Sequence, residues 1–265
     1  MEITTERPVV RQADRRPRVR NRSEDVPCKI CGTASALDGV VDFNKNASEP
    51  QNVFLPLCGV PVYYHRCPNC GCVFTVAFDA WSLTDFRRHI YNEGYAEVDP
   101  DYRERRPIGN AGLVSSFAAR GKELRILDYG GGNGRLADEL VKRGIAAFSW
   151  DPMETDGSPP PPAGFDLVSC FEVVEHTPTP LETFAEALSY LRPGGVMLFS
   201  TLTIDDLPPR ALHHWYIAPR NGHLTIHTSR SLALMAGRFG RRVHHINNVF
   251  HLCHAELPPW LVSVP

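Results

Sequence analysis

No stretch of this chain approaches the roughly 18 to 20 consecutive apolar residues that a membrane-spanning helix needs. The amino-terminal residues also lack the apolar core of a secretory signal, so a cytoplasmic location is the expectation. Excess charge of either sign is missing. The formal net charge is -2 over 265 residues, which excludes a global field drawing the chain to nucleic acid or an anionic membrane. Cysteine is scarce over most of the length: of 8 cysteines, only Cys170 and Cys253 lie beyond Cys72. Without an export signal, that clustering favours a metal site over disulfides. No internal repeat is visible. Hydrophobic residues at 43% and charged residues at 22% are ordinary for a globular protein.

What is present divides into five stretches. Residues 1–25 interleave seven arginines with acids and prolines and show no period, as a flexible arm does. Residues 26–75 hold the cysteine cluster. Residues 76–122 form a connector with cap helices, including the aromatic run "FRRHIYNEGYAEVDPDYRERRP" and a helix over "NAGLVSSFAARG", with Asn110 as N-cap and Gly121 as stop. Residues 123–256 alternate strands with helices, and 257–265 form a tail. In the alternating part, "RILDY", "AAFSWD", "FDLVSCF" and "GGVMLFST" read as strands, and "RRVHHINNVFHLCH" supplies two closing strands. Leu136, Ala137, Leu140 and Val141 share one helical face. So do Leu181, Phe184, Leu188 and Leu191, and then Leu232, Met235, Ala236 and Phe239 in a helix starting near Thr228. Such alternation predicts an open α/β sheet, mostly parallel, with helices on both faces.

The first strand runs into "DYGGGNGR". A dinucleotide loop needs G-x-G-x-x-G, and from Gly130 and Gly132 the third position is the bulky Arg135. A Walker-type loop needs Gly-Lys-Ser/Thr, which does not follow. The spacing Asp128-x-Gly130-x-Gly132-x-Gly134 instead resembles motif I of the class I S-adenosylmethionine-dependent methyltransferases. "FDLVSCFEVVEHTPTP" and "LRPGGVMLFST" are similar to that family's fourth-strand block and its approach to strand five. The resemblance covers roughly residues 108–255 and implies a Rossmann-like sheet with S-adenosylmethionine as methyl donor. It implies that Asp128, Gly130, Gly131, Gly132, Gly134, Phe171 and Glu172 contact the donor, and that Asp151 at the second strand end takes both ribose hydroxyls. Only "PMETDGSPPPPAG" separates Asp151 from the next strand, so the usual helix and third strand cannot both fit at normal length.

"CKICG" and "CPNCG" are two Cys-x-x-Cys-Gly knuckles. Cys28, Cys31, Cys67 and Cys70 are thus expected to hold a structural zinc ion tetrahedrally, with no open position. Cys58 and His65 could compete, while Cys72, two residues past Cys70, is expected to point away into the core. A zinc ribbon ahead of such a methyltransferase resembles two arrangements: deoxysugar C-methyltransferases and ribosomal-RNA guanine methyltransferases. The wording around the cysteines is similar to bacterial enzymes of saccharide and natural-product biosynthesis. The long carboxy-terminal extension of the C-methyltransferases is read as lacking, so carbon methylation becomes an alternative.

No Asn/Asp-Pro-Pro-Tyr/Phe tetrad follows the fourth strand, which disfavours amino methylation of nucleobases. "ALHHWYIAPRNGHLTIH", after strand five, is dense in chemistry. His223 is the expected general base, and Tyr216, His214 and Arg220 complete a catalytic and acceptor-binding set. Glu172, Glu175 and His176 would share a helical face if the following helix begins early. "EVVEH" also resembles ubiquinone-type O-methyltransferases, some of which use a divalent cation there. The expected function is O-methylation of a small molecule, a sugar or related hydroxyl. The alternatives are RNA methylation, with the zinc module gripping phosphates, sugar C-methylation, and a non-catalytic cofactor-binding scaffold.

Overall fold

A computed structural model of the chain describes residues 16–118, 124–154, 159–258 and 260–261. The expected arm up to residue 15, the helix stop at Gly121, and residues 259 and 262–265 of the tail lie outside the described residues. The stretch from 16 to 25 is not a free arm. Arg20 N–H donates to the Ala77 carbonyl at 2.9 Å, the Trp81 indole donates to Arg18 O at 2.8 Å, and Asn21 bonds to Pro61 and Tyr63.

The amino-terminal part contributes β1 (Val26–Pro27), β2 (Ala34–Asp42), β3 (Pro61–Arg66) and β4 (Val73–Thr75), then α1 (Leu83–His89), α2 (Tyr95–Val98) and α3 (Arg105–Ala118). The remainder supplies β5 (Arg125–Tyr129), α4 (Arg135–Lys142), β6 (Ala146–Trp150), β7 (Phe165–Phe171), α5 (Pro180–Ser189) and β8 (Leu191–Ser200). It closes with β9 (Thr225–Ile226), α6 (Ser229–Gly237), β10 (Arg242–His245) and β11 (Phe250–His254). The α3 helix starts five residues before Asn110, which therefore lies inside it and caps nothing.

Six strands form one sheet in the order β10-β11-β8-β7-β5-β6, with β6, β5, β7 and β8 parallel and β11 antiparallel between β8 and β10. All of β7 is buried, which is why "FDLVSCF" reads as an unbroken apolar run and not as alternation. Ile126, Leu167, Val196 and Leu198 face α3 and α4. Leu127, Val168, Met197 and Phe199 face α5 and α6, so helices cover both faces. All three expected helical stripes run one residue too far: Val141 is 56% exposed, and Leu191 opens β8. Phe239 likewise lies beyond α6. Among the described residues no strand pairs with the outer edge of β6, in keeping with the shortened segment after Asp151.

The cysteine-rich segment does not close on itself as a unit ending at residue 75. Its sheet, β1-β2-β3-β4-β9, takes the last strand from residues that follow β8 in the chain. Val73 pairs with Ile226 and Phe74 with Thr225. Ile30, Cys28, Cys67, Cys70, Cys72 and Phe74 pack in the same apolar cluster as α5 and α6. Thr228 ties α6 to the second cysteine knuckle. It caps α6 through Ser231 N and donates its hydroxyl to the Cys70 carbonyl at 2.5 Å. Thr228→Val is expected to destabilise the protein by about 1–2 kcal/mol through loss of the cap and that bond. Urea denaturation would read it; an unchanged midpoint would deny the junction its role.

Candidate active site

At the carboxyl end of β5 the chain turns through Gly130, Gly132 and Gly134, with φ of 73°, 54° and 76°. These left-handed values suit glycine alone among residues without strain. Gly130 N–H donates to Trp150 O at 2.7 Å and Gly132 N–H to the Asp151 carboxylate at 2.9 Å, so the loop is laced to the end of β6. A Cβ on Gly131 would run into the Asp128 carboxylate and the Ser149 hydroxyl.

Asp128 is 3% exposed beneath this loop. Its Oδ1 accepts from Ser169 Oγ at 3.0 Å, while Oδ2 has no partner among the described residues. Burial pushes its carboxyl up to about 7, against the opposing Ser169 bond and with Asp151 adding to it. An orphaned buried acceptor below a side-chain-free cradle fits a cationic ligand, and S-adenosylmethionine carries both an ammonium and a sulfonium. Asp151 accepts from Gly132 N and from Met153 N at 2.7 Å. Arg87 of α1 donates to the Met153 carbonyl, holding the loop after β6 from outside the sheet. Phe171 sends its ring into the core on the α3–α4 side, edge-on to Phe250.

Glu172, the residue after β7, has φ of 54°, an uncommon value for a residue with a side chain and one that clusters at functional sites. Ser200 stabilises it reciprocally: Glu172 N–H donates to Ser200 Oγ at 3.0 Å, and that hydroxyl donates to Glu172 Oε1 at 2.8 Å. The expected helical face for Glu172, Glu175 and His176 does not exist, because α5 starts only at Pro180. A turn closed by His176 N–H to Val173 O brings the three together instead, with their ligand atoms within 4.8 Å of one another. Burial raises the carboxyls of both glutamates, and Glu172 adds to the effect on Glu175. Glu175 Oε1 accepts from Tyr216 Oη at 2.6 Å, while Oε2 is buried with no hydrogen-bond partner among the described residues.

His223 and His176 meet edge to face at 4.8 Å, and His223 lies 4.2 Å from the Tyr216 ring. His223 Nδ1 is 2.7 Å from the Tyr216 carbonyl. A carbonyl only accepts, so Nδ1 carries the proton and Nε2 the lone pair. Burial lowers the imidazole to about 4, leaving it neutral at physiological pH. Tyr216 is equally buried, with its hydroxyl also accepting from Leu202 N. His214 sits apart, stacked on Trp215 and accepting from Tyr216 N. Arg220 is buried and bonded within the fold. Its guanidinium donates to Ile90 O at 2.8 Å and Asn92 Oδ1 at 3.1 Å, fixing the turn after α1.

That turn supplies residues missed in the sequence. Tyr91 places its hydroxyl 3.2 Å from His176 Nδ1, and Tyr95 packs beside it. Arg106 of α3, paired bidentately with Asp99, acts on Glu172 and lowers its carboxyl against burial. The aromatic density of "IYNEGYAEV" was the available signal.

On the neighbouring side, Cys28, Cys31, Cys67 and Cys70 bring all four sulfurs within 4.8 Å of one another, at 3.3 Å for Cys31–Cys67 and 3.6 Å for Cys28–Cys70. Zinc–sulfur bonds of about 2.3 Å in a tetrahedron require separations near 3.8 Å, so the set fits zinc. Each knuckle turns at a left-handed glycine, Gly32 or Gly71, whose N–H returns to Cys28 O or Cys67 O. Cys58 bonds to Asp42 away from the group, and the His65 ring lies against Phe74. Cys72 does not point away as expected. The turn at Gly71, closed by Cys67 N–H to Cys72 O, swings its sulfur to 3.5 Å from Cys28 Sγ.

The profile of the family described as methyltransferase domain matches residues 102–246, more than half of the chain. The ubiquinone biosynthesis O-methyltransferase of Saccharophagus degradans is 28% identical over 104 residues, covering 30% of this chain and 44% of that one. Its namesake in Parvibaculum lavamentivorans is 29% identical over 124 residues, covering 38% and 49%. The chain thus spans about half the length of the curated relatives it matches. Among solved structures, mitomycin 7-O-methyltransferase superposes with a TM-score of 0.46 at 16% identity, over 65% of this chain and 60% of that one. An O-methyltransferase family protein from Burkholderia thailandensis gives 0.42 at 17%, over 61% and 58%.

Two outcomes are expected. Cys67→Ser should lose its zinc by atomic emission, whereas retained metal would refute the four-sulfur site. For Asp128 the folded state holds a proton that the unfolded state, near 3.8, releases first, so its contribution to stability falls as pH rises from about 4 to 7. Asp128→Asn should remove that decline from the pH dependence of chemical denaturation and stand above the ligand-free parent at pH 8. Parallel curves for the two proteins would contradict the assignment.

Proposed function

The chain belongs to the methyltransferase-domain family of class I, S-adenosylmethionine-dependent enzymes, and from that premise we propose that it methylates a hydroxyl of a small molecule, a sugar or related compound. The observation that carries the reading is His223, neutral and locked by the Tyr216 carbonyl in the tautomer whose Nε2 can accept a proton. Asp128, the loop Gly130–Gly134, Asp151 and Glu172 would hold the donor, which when bound supplies an electrophilic methyl group on sulfur.

The chain's own residues then have three tasks. The 172–176 turn, Tyr91 and Tyr95 form a wall that orients the acceptor hydroxyl and excludes water. His223 Nε2 takes the hydroxyl proton as the oxygen attacks, and its partner carbonyl stabilises the imidazolium that forms. Tyr216, bridging Glu175 and Leu202 N, keeps His223 and the turn in register. The mix of aromatic rings and hydrogen-bonding side chains suits a polyhydroxylated acceptor. The printed names of the curated relatives agree with oxygen as the methylated atom.

A second reading has its own observation, the convergence of Glu172, Glu175 and His176 with one carboxylate oxygen unpartnered. Those three residues would hold a divalent cation, which when bound would lower the pKa of a coordinated acceptor hydroxyl.

Calorimetric titration with S-adenosylmethionine, followed by transfer of its labelled methyl to a panel of sugar and phenolic hydroxyls, tests the proposal. His223→Asn is expected to lower kcat by about 10²- to 10⁴-fold while leaving donor affinity within about twofold. Full activity in that variant combined with loss on chelation would replace the histidine mechanism by the cation. No donor binding at all would sink both.

A further inference from the structure

The turn from Glu172 to Pro178 has neither helix nor strand geometry and begins at a strained residue. Such a segment keeps one conformation only if its surroundings over-determine it. Two of its supports come from the sheet partner strand, since Leu224 and Thr225 N–H both donate to Glu175 O, at 2.7 and 3.2 Å. A third comes from the metal knuckle itself. Lys29 stands between Cys28 and Cys31, its side chain only 7% exposed. Its ammonium donates to Pro178 O at 2.9 Å and to Asp79 Oδ1 at 2.5 Å.

We propose that Lys29 is a positioning residue for the acceptor wall, tying the first cysteine knuckle to the carboxyl end of the Glu172–Pro178 turn. The inference rests on the reading of that turn as acceptor wall for its significance, but the tie itself is separate from the chemistry. A buried ammonium cannot exchange Pro178 O for water at little cost, so the bond is strong. The knuckle offers an unusually fixed base for it. Four sulfurs meeting at one point, with Ile30 N–H donating to Cys28 Sγ at 3.4 Å, leave the Lys29 backbone little freedom. Asp79 neutralises the charge, so the lysine is held at both ends of its reach. Val174, within the turn, packs in the same apolar cluster as Ile30 and the cysteines, which gives the tie a second point of contact along the segment. The His176 ring, two residues before Pro178, thereby depends on a residue of the metal module for its place.

The test is hydrogen exchange read by mass spectrometry on the full zinc-loaded chain. In Lys29→Met, exchange of residues 172–179 is expected to rise about tenfold or more, as loss of one hydrogen bond from a charged donor implies. Zinc content should remain at the parent value, and S-adenosylmethionine affinity should stay within about twofold. Where that variant does not accumulate, Lys29→Gln, which keeps a donor but not the reach, carries the same expectation. Unchanged exchange over 172–179 would overturn the proposal. So would a rise spread evenly over the six-stranded sheet, or loss of zinc, which would assign Lys29 to the metal site alone. Because exchange needs no acceptor, failure of the methylation reading would leave this result standing and legible.

Discussion

The carbonyl oxygen of Glu175 accepts from two successive backbone N–H groups, those of Leu224 and Thr225, and the acceptor side of the molecule is arranged around that pair of bonds. They join the turn after β7 to β9, and β9 is the outermost strand of the cysteine-bearing sheet. Thr75 N–H donates back to Leu224 O, so the same residue is held from both sides. Tyr64, buried in that sheet, donates its hydroxyl to the carbonyl of His223. The His223 imidazole and the Glu175 carboxyl are thus oriented through hydrogen bonds at their main-chain atoms to a sheet whose strands contain neither.

This arrangement offsets the cost of Glu172. A left-handed backbone at a non-glycine residue costs on the order of 1–3 kcal/mol, as does each buried polar group left without a partner. Ser200, the β9 amides and the cysteine module each contribute bonds of about 1 kcal/mol or somewhat more. No single one suffices, but together they hold the strained turn. The apolar packing of Val174 with Ile30 and the knuckles adds burial that hydrogen bonds alone would not give. Acid and imidazole groups meanwhile sit where water does not reach, which is why Glu175 is raised and His223 lowered.

Much of the parallel sheet was legible in the sequence, because each strand there is a short apolar run and each glycine of the loop has a backbone reason. Asp128 and Gly130 to Gly134 lie close together in sequence, so their geometry is local. The four sulfurs were legible for the same reason, two Cys-x-x-Cys turns being local devices. What failed was non-local. Residues Thr225 and Ile226 are too short a strand to show a period, and their partner lies some 150 residues earlier in the chain. The bonds of Arg220 were equally hidden, because charge in a loop is read as exposed, yet it is buried against Ile90 and Asn92. Cys72 was expected to turn away from Cys70, but residues two apart share a face in extended chain, and the left-handed turn at Gly71 leaves its sulfur beside Cys28. Tyr91 carried only an aromatic signal, with nothing to say which histidine it would meet.

The interleaved strand β9 bears on how such a protein could be taken apart or inherited. The family match begins at residue 102, well after the cysteines, and would suggest a boundary for dissection there. A cut at that point would strip β4 from Ile226 and leave Leu224, Ile217 and Tyr216 facing solvent. It would also remove Arg87 from the loop beside Asp151. The cysteine segment therefore cannot be exchanged between relatives like a bead on a string: any recombination that replaced it would have to carry residues 204 to 228 along, and those two distant pieces of chain should vary together.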